Sequence, residues 1–196
     1  MTRYITIVIF SITVLFYSCI SLKPTDFTFQ YNNNEYTGLD TLIRIDGYYI
    51  TERECDSTFR AAFIFYPDGL FTIATGTDLS EIGECWINND SRSTVCQYPS
   101  WGTYRIYNDT IKTQTIRQEG IGFATIFRDY LILADKSIVN INDYVVPENS
   151  NIGYMVNYPS FVENTCKKQA KFYPLNKIPD HKGCPYLTKK WFNTTK

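Results

Sequence analysis

The chain has 196 residues and a formal charge of −1, with 44% hydrophobic and 20% charged residues. That length suits one domain with a substantial core, and that balance excludes long-range disorder and collagen-like repeats. A near-neutral chain lacks the positive field that nucleic-acid binding requires. Sixteen tyrosines and 13 phenylalanines favour strands over a helical bundle.

Arg3 is the only charge before Lys23, and Tyr4 to Phe16 is almost wholly apolar. A positive start and an apolar run of about 7–15 residues describe an export signal. The uncharged stretch from Tyr4 to Leu22 also approaches the ~20 residues of a membrane span, so a retained signal-anchor stands as one alternative and a soluble secreted product as another. Leu15-Phe16-Tyr17-Ser18-Cys19 places a small residue and then Cys just past the apolar run. This resembles the lipobox of bacterial lipoproteins. The resemblance implies a signal peptide over 1–18, acylation (palmitate-type chains) of Cys19, and a tether to a membrane of the bacterial envelope, with the outer membrane foremost and the body outside the cytoplasm.

Without Cys19, five cysteines remain: Cys55, Cys85, Cys96, Cys166 and Cys184. In an oxidising compartment these give two bridges and one thiol left over. Cys85 and Cys96 flank Asn88-Asn89-Asp90-Ser91 and are expected to staple one turn-rich loop, whereas Cys166 could reach Cys184 or Cys55. A zinc site from Cys166, His181 and Cys184 lacks both C-x2-C spacing and a fourth ligand. No metal or other cofactor is expected.

Residues 19–38 are polar and turn-rich, and read as a flexible stalk. From 39 to 146 the pattern is strand after strand. Ile43, Ile45, Gly47 and Tyr49 alternate on one face, as do Phe59, Ala61, Phe63 and Phe65. Tyr66-Pro67-Asp68-Gly69 supplies turn chemistry, and Leu70 to Thr77 returns as the partner strand. Trp101 to Tyr107 and Thr110 to Arg117 form a second hairpin about Asn108-Asp109. Phe123 to Phe127, Tyr130 to Ala134 and Ser137 to Ile141 complete about eight short strands, with Asp129 and Asp135-Lys136 as breaks.

Residues 147–196 form a Lys/Pro-rich C-terminal region, with eight lysines against three acidic residues, net +5; residues 19–146 are net −7. Ser160 to Glu163 has capping-box spacing, and Val162, Cys166, Ala170 and Tyr173 recur at helical period, which predicts one helix at about 161–172 packed on the sheet. The fold expected is therefore all-β: an antiparallel up-and-down barrel of about eight strands with one C-terminal α-helix, the alternative being a two-sheet sandwich.

Gly47-Tyr48-Tyr49 early in the first strand, the up-and-down strand series and a helix after it resemble the lipocalins. The order DGYY (from Asp46), FYPDGLF (from Phe65), WGTYRIYNDTI (from Trp101) and the closing KKWF (from Lys189) is similar to the lipocalin-like lipoproteins of Gram-negative bacteria. Tyr49 stands where classical lipocalins carry Trp. The resemblance implies the barrel fold more directly than it implies a ligand.

Catalytic chemistry has little to stand on. His181 is the only histidine and sits in the turn-like Pro179-Asp180-His181-Lys182-Gly183. Glu52, Glu54 and Asp56 read as a solvated strand end, and Gly120-Ile121-Gly122 as a turn or kink. No enzyme is expected. Tyr49, Phe63, Phe65, Phe71, Ile73, Tyr104 and Ile106 occupy alternating strand positions. In an open barrel they line a pocket for a small apolar or amphipathic ligand, and in a closed one they are the core. Two functions stand side by side: a tethered ligand-binding module, and an envelope interaction protein with a solid barrel that uses its outer face or the basic tail on a macromolecular partner. A monomer is expected, attached to the membrane through Cys19.

Overall fold

The computed structural model describes residues 24, 26–52, 60–76, 79, 82–83, 86, 99–119, 122–145, 162–163 and 169–194. The strands are β1 (Gly47–Glu52), β2 (Arg60–Phe65), β3 (Leu70–Gly76), β4 (Ser100–Tyr107), β5 (Thr110–Glu119), β6 (Gly122–Ile132), β7 (Ile138–Val145), β8 (Val162–Glu163) and β9 (Lys171–Pro174). They form one sheet in the order β8-β7-β6-β5-β4-β3-β2-β1-β9, antiparallel throughout. A single continuous sheet rules out the sandwich, and the all-β up-and-down expectation holds.

The sheet curls until its ends approach. β9 pairs with β1, while Gln169, two residues before it, bridges Val139 on β7, and the Ala170 N–H donates to the Ile138 carbonyl at 2.8 Å. The segment 169–174 is thus the eighth wall strand, and it closes the barrel. Closure removes the exposed edges that an open sheet would present.

Tight turns join the strands at one end. Gly69 takes φ +90 in the Tyr66–Gly69 turn, and Asn108 takes φ +56 between β4 and β5. At that end a four-residue helix, α1 (Leu39–Leu42), crosses the barrel and inserts Leu39 and Ile43 among the inward side chains. The opposite end is where the strand ends joined by 53–59, 77–99 and 146–168 lie. The barrel therefore has a plugged floor at the α1 end, and the opposite end is called the mouth.

Period-two alternation sorts the side chains into two cores. The inner one unites Tyr49, Ala61, Phe63, Phe65, Phe71, Ile73, Tyr104, Ile111, Tyr130, Ile138 and Ala170 with Leu39 and Ile43. The outer one covers β1 to β4 and holds Tyr48, Ile64, Tyr66, Leu70 and Trp101 beneath Phe27, Tyr31, Cys184 and Phe192. β2 and β3 are accordingly buried on both faces.

Three expectations need correction. The segment read as helix at about 161–172 contains β8 and the closing strand instead. Ala170 and Phe172 point into the inner core and Tyr173 into the outer one, a strand alternation. The free edges of β1 and β7 offer backbone partners that a local sequence window cannot see, and long-range pairing overrides the local helical period. Residues 26–38 do not form a stalk: Phe27 and Tyr31 are buried, and Tyr31 makes a parallel bridge to Asn193. Asp129 does not break a strand. It lies inside the eleven-residue β6, opposite a register shift in β7 at Asp129/Tyr130.

Candidate functional site: the barrel interior

All seven predicted pocket residues meet in the inner core. Phe63, Phe65, Phe71, Tyr104 and Tyr130 are fully buried. Their rings touch closely, with centroids 4.9 Å apart for Phe63–Tyr130, 5.0 Å for Phe65–Phe71 and 5.3 Å for Phe65–Tyr104. Tyr49 stacks on Phe63 at 5.7 Å and meets Phe172 edge-on at 5.0 Å. Such pairs add about 0.5–1.5 kcal/mol each beyond the burial itself. The floor half of the barrel is filled by these rings.

Two of the tyrosines, Tyr104 and Tyr49, place their hydroxyls on chain crossing the floor. The Tyr104 hydroxyl donates to the Tyr66 carbonyl at 2.6 Å and lies 2.7 Å from Thr37 Oγ1. The Tyr49 hydroxyl donates to the Arg44 carbonyl at 2.7 Å. Burial pushes both hydroxyls well above the ordinary tyrosine range, which keeps them neutral donors. These two residues lock the plug in place and serve structure.

Nearer the mouth the inner face changes character. Thr51, Ala61, Gly102, Thr113, Thr115 and Ala124 take the positions that rings fill in the floor. Among them stands Arg128, one inward step from Tyr130 on β6 and only 6% exposed. Its Nε is 3.3 Å from Asp143 Oδ1 on β7, and its Nη1 donates to Thr115 Oγ1 on β5 at 3.0 Å. Asn140 Nδ2 donates to the same Asp143 oxygen at 3.2 Å. A guanidinium this far from water must be paired, and Asp143, whose side chain is 20% exposed, is the partner on the mouth side. The arrangement is a fixed, charged hydrogen-bonding set above an apolar floor.

Sequence reasoning missed Arg128, Asp143 and Asn140. Arg128 shares the parity of Tyr130, so an unbroken strand through Asp129 would have turned it inward. The break placed at Asp129 concealed that signal.

A second cluster lies on the outer face. His181 Nδ1 is 3.5 Å from Asp68 Oδ2, the Tyr31 hydroxyl donates to that oxygen at 2.9 Å, and the His181 ring meets Tyr66 edge-on at 5.5 Å. Cys184 is a free, buried thiol in the same core. Burial pushes its pKa from 9.0 up to about 12, the direction opposite to nucleophile activation. Cysteine, histidine and aspartate here serve as packing and clasp.

Cys19, Cys55, Cys85, Cys96, Cys166, Glu54 and Asp56 lie outside the described residues. Among the described residues no group of three His, Cys, Asp or Glu could hold a metal ion, and no helix is long and apolar enough to cross a membrane. Compared with protein-family models, curated proteins and solved structures, the chain matches none.

Proposed function

We propose that the chain is a membrane-tethered, lipocalin-like lipoprotein of the bacterial envelope whose barrel binds one small amphipathic ligand in its mouth half. The observation that carries this reading is Arg128, buried on the inner wall with Asp143 opposite it on β7 and Thr113 and Thr115 beside it on β5. Mostly apolar sites with a few placed polar groups suit small-molecule binding, and a guanidinium favours an anionic or strongly polar head. The packed floor limits the ligand to the mouth half. Cys19 supplies the tether in this reading, through the lipobox-like Leu15 to Cys19.

Titration with a dansylated fatty acid tests the proposal. Saturable binding at one site per chain is expected. In the charge-neutral pair Arg128→Met with Asp143→Leu, affinity should fall about tenfold or more, since a charged hydrogen bond is worth about 1.5–3 kcal/mol. Equal binding by that variant counts against the site.

The filled floor also favours a second reading, a solid barrel that works through its outer face on an envelope macromolecule. Absence of any saturable interior binding, with a partner retained by the folded chain, would select it.

A further inference from the structure

Both ends of the described body meet on one outer corner. The Tyr31 N–H donates to the Phe192 carbonyl at 2.7 Å, and the Thr194 N–H donates to the Tyr31 carbonyl at 3.0 Å. Phe27 stacks on Phe192 at 5.2 Å and meets Trp191 edge-on at 5.8 Å. Directly before this clasp the chain turns, with the Phe192 N–H donating to the Lys189 carbonyl at 3.0 Å. The turn leaves Lys189 and Lys190 exposed and Trp191 half-buried. Lys177 and Lys182 are exposed on the same strap, and Asp180 is the one acidic residue across 169–194.

The clasp fixes where a tether would leave the body. Eight residue steps separate Cys19 from Phe27, a reach of at most about 28 Å even when fully extended. Within those residues Lys23 and Asp26 offset each other in charge. The corner bearing Lys189, Lys190 and Trp191 therefore lies beside the tether's exit, within its reach of a bilayer entered by a lipid on Cys19.

We propose that Lys189, Lys190 and Trp191 form a docking face for the anionic phospholipid surface to which the chain is anchored. This rests on the reading of Cys19 as the lipid attachment site. Surface lysines are attracted to anionic headgroups within roughly a Debye length of 10 Å, and an indole favours the boundary between headgroup and acyl chain. Docking sets the orientation of the barrel on the membrane, whereas the acyl chains supply residence.

The test uses the full chain purified from membranes and mixed with two kinds of vesicle. One is phosphatidylcholine alone, and the other is a roughly three-to-one mixture with phosphatidylglycerol, each carrying a trace of dansylated headgroup. Flotation reports the anchor, and energy transfer that Trp191→Phe removes reports the docked face. Flotation on both vesicles is expected, with Trp191-dependent transfer only where phosphatidylglycerol is present and lost at high salt. Lys189→Gln with Lys190→Gln should weaken docking about 25-fold, roughly five-fold for each lysine. Flotation on both vesicles with transfer that ignores lipid charge, or is unchanged in the lysine variant, overturns the docking face and leaves the anchor standing. Salt-sensitive, lysine-dependent flotation on the anionic vesicles alone upholds the face and overturns the anchor. Flotation on neither overturns both, and capture by a polyanionic glycan in place of the vesicles overturns the lipid as partner.

Discussion

Phe192 tests how the C-terminal strap is held. Its side chain is wholly buried, stacked on Phe27 at 5.2 Å and within 5.7–6.1 Å of Tyr186, Trp191 and Tyr31. Burying an aromatic side chain removes about 150–250 Å² from water at ~25 cal/mol per Å², or about 4–6 kcal/mol, part of which an alanine retains. A cavity among rigid rings adds to the loss, so Phe192→Ala should cost about 4 kcal/mol. The charge contrast between tail and barrel predicts a different pattern. The His181–Asp68 pair is partly exposed and worth at most about 1 kcal/mol, and exposed lysines contribute within about 0.5 kcal/mol. Urea unfolding followed by tryptophan fluorescence and far-ultraviolet circular dichroism separates the two. The expected result is a large loss for Phe192→Ala, almost none for Lys189→Gln with Lys190→Gln, and little response to salt. A loss below about 1 kcal/mol for Phe192→Ala, or a midpoint that collapses as salt rises, refutes aromatic clasping.

Gly102 lies so close to β5 that an added Cβ would sit 1.8 Å from the Gln114 carbonyl oxygen, so Gly102→Ala should cost about 3 kcal/mol or abolish folding, as read by the yield and midpoint of the purified variant. At Gly47 the same atom would sit 2.1 Å from the Tyr173 carbonyl oxygen, and Gly47→Ala should expose the β1–β9 seam to rapid amide exchange. Arg128→Met alone strands Asp143 and should cost about 2–3 kcal/mol in urea, less than a fully buried pair because Asp143 retains some water; adding Asp143→Leu should recover most of that loss. The Cys184 thiol, neutral in the folded state, should resist maleimide at pH 8 and label only on unfolding, as peptide mapping would report. Because its folded pKa is raised from 9.0 to about 12, its share of stability is intact below about pH 9 and lost as pH climbs toward 12.

The inner core was legible wherever the alternation was strong and local. Phe63, Phe65, Phe71 and Ile73 flank a Pro-Asp-Gly turn, so parity alone put them on one face and turn chemistry set their register. Tyr104 and Ile106 followed from the next hairpin in the same way. What escaped was set by distant pairing. Gln169 to Pro174 is a strand because β7 and β1 each present an open edge to it, and neither edge is visible from the helical spacing of Val162, Cys166, Ala170 and Tyr173. Phe27, Phe29 and Tyr31 alternate too, but the surrounding asparagines give the segment the composition of a stalk; Phe27 and Tyr31 are covered by Phe192, about 160 residues away. One local feature hides the polar set. An aspartate in mid-strand is a fair break signal, yet Asp129 is held by Asn142 on the neighbouring strand, at 3.2 Å, and β6 runs on through it to carry Arg128 inward.

Native mass spectrometry of the chain, released gently from its own membranes, puts the central claim to its most direct test. The account predicts a chain carrying one small amphipathic molecule, its added mass removed by organic extraction and absent from the variant that combines Arg128→Met with Asp143→Leu. A folded parent chain that is empty in every preparation, or a variant that retains the same added mass, would contradict it.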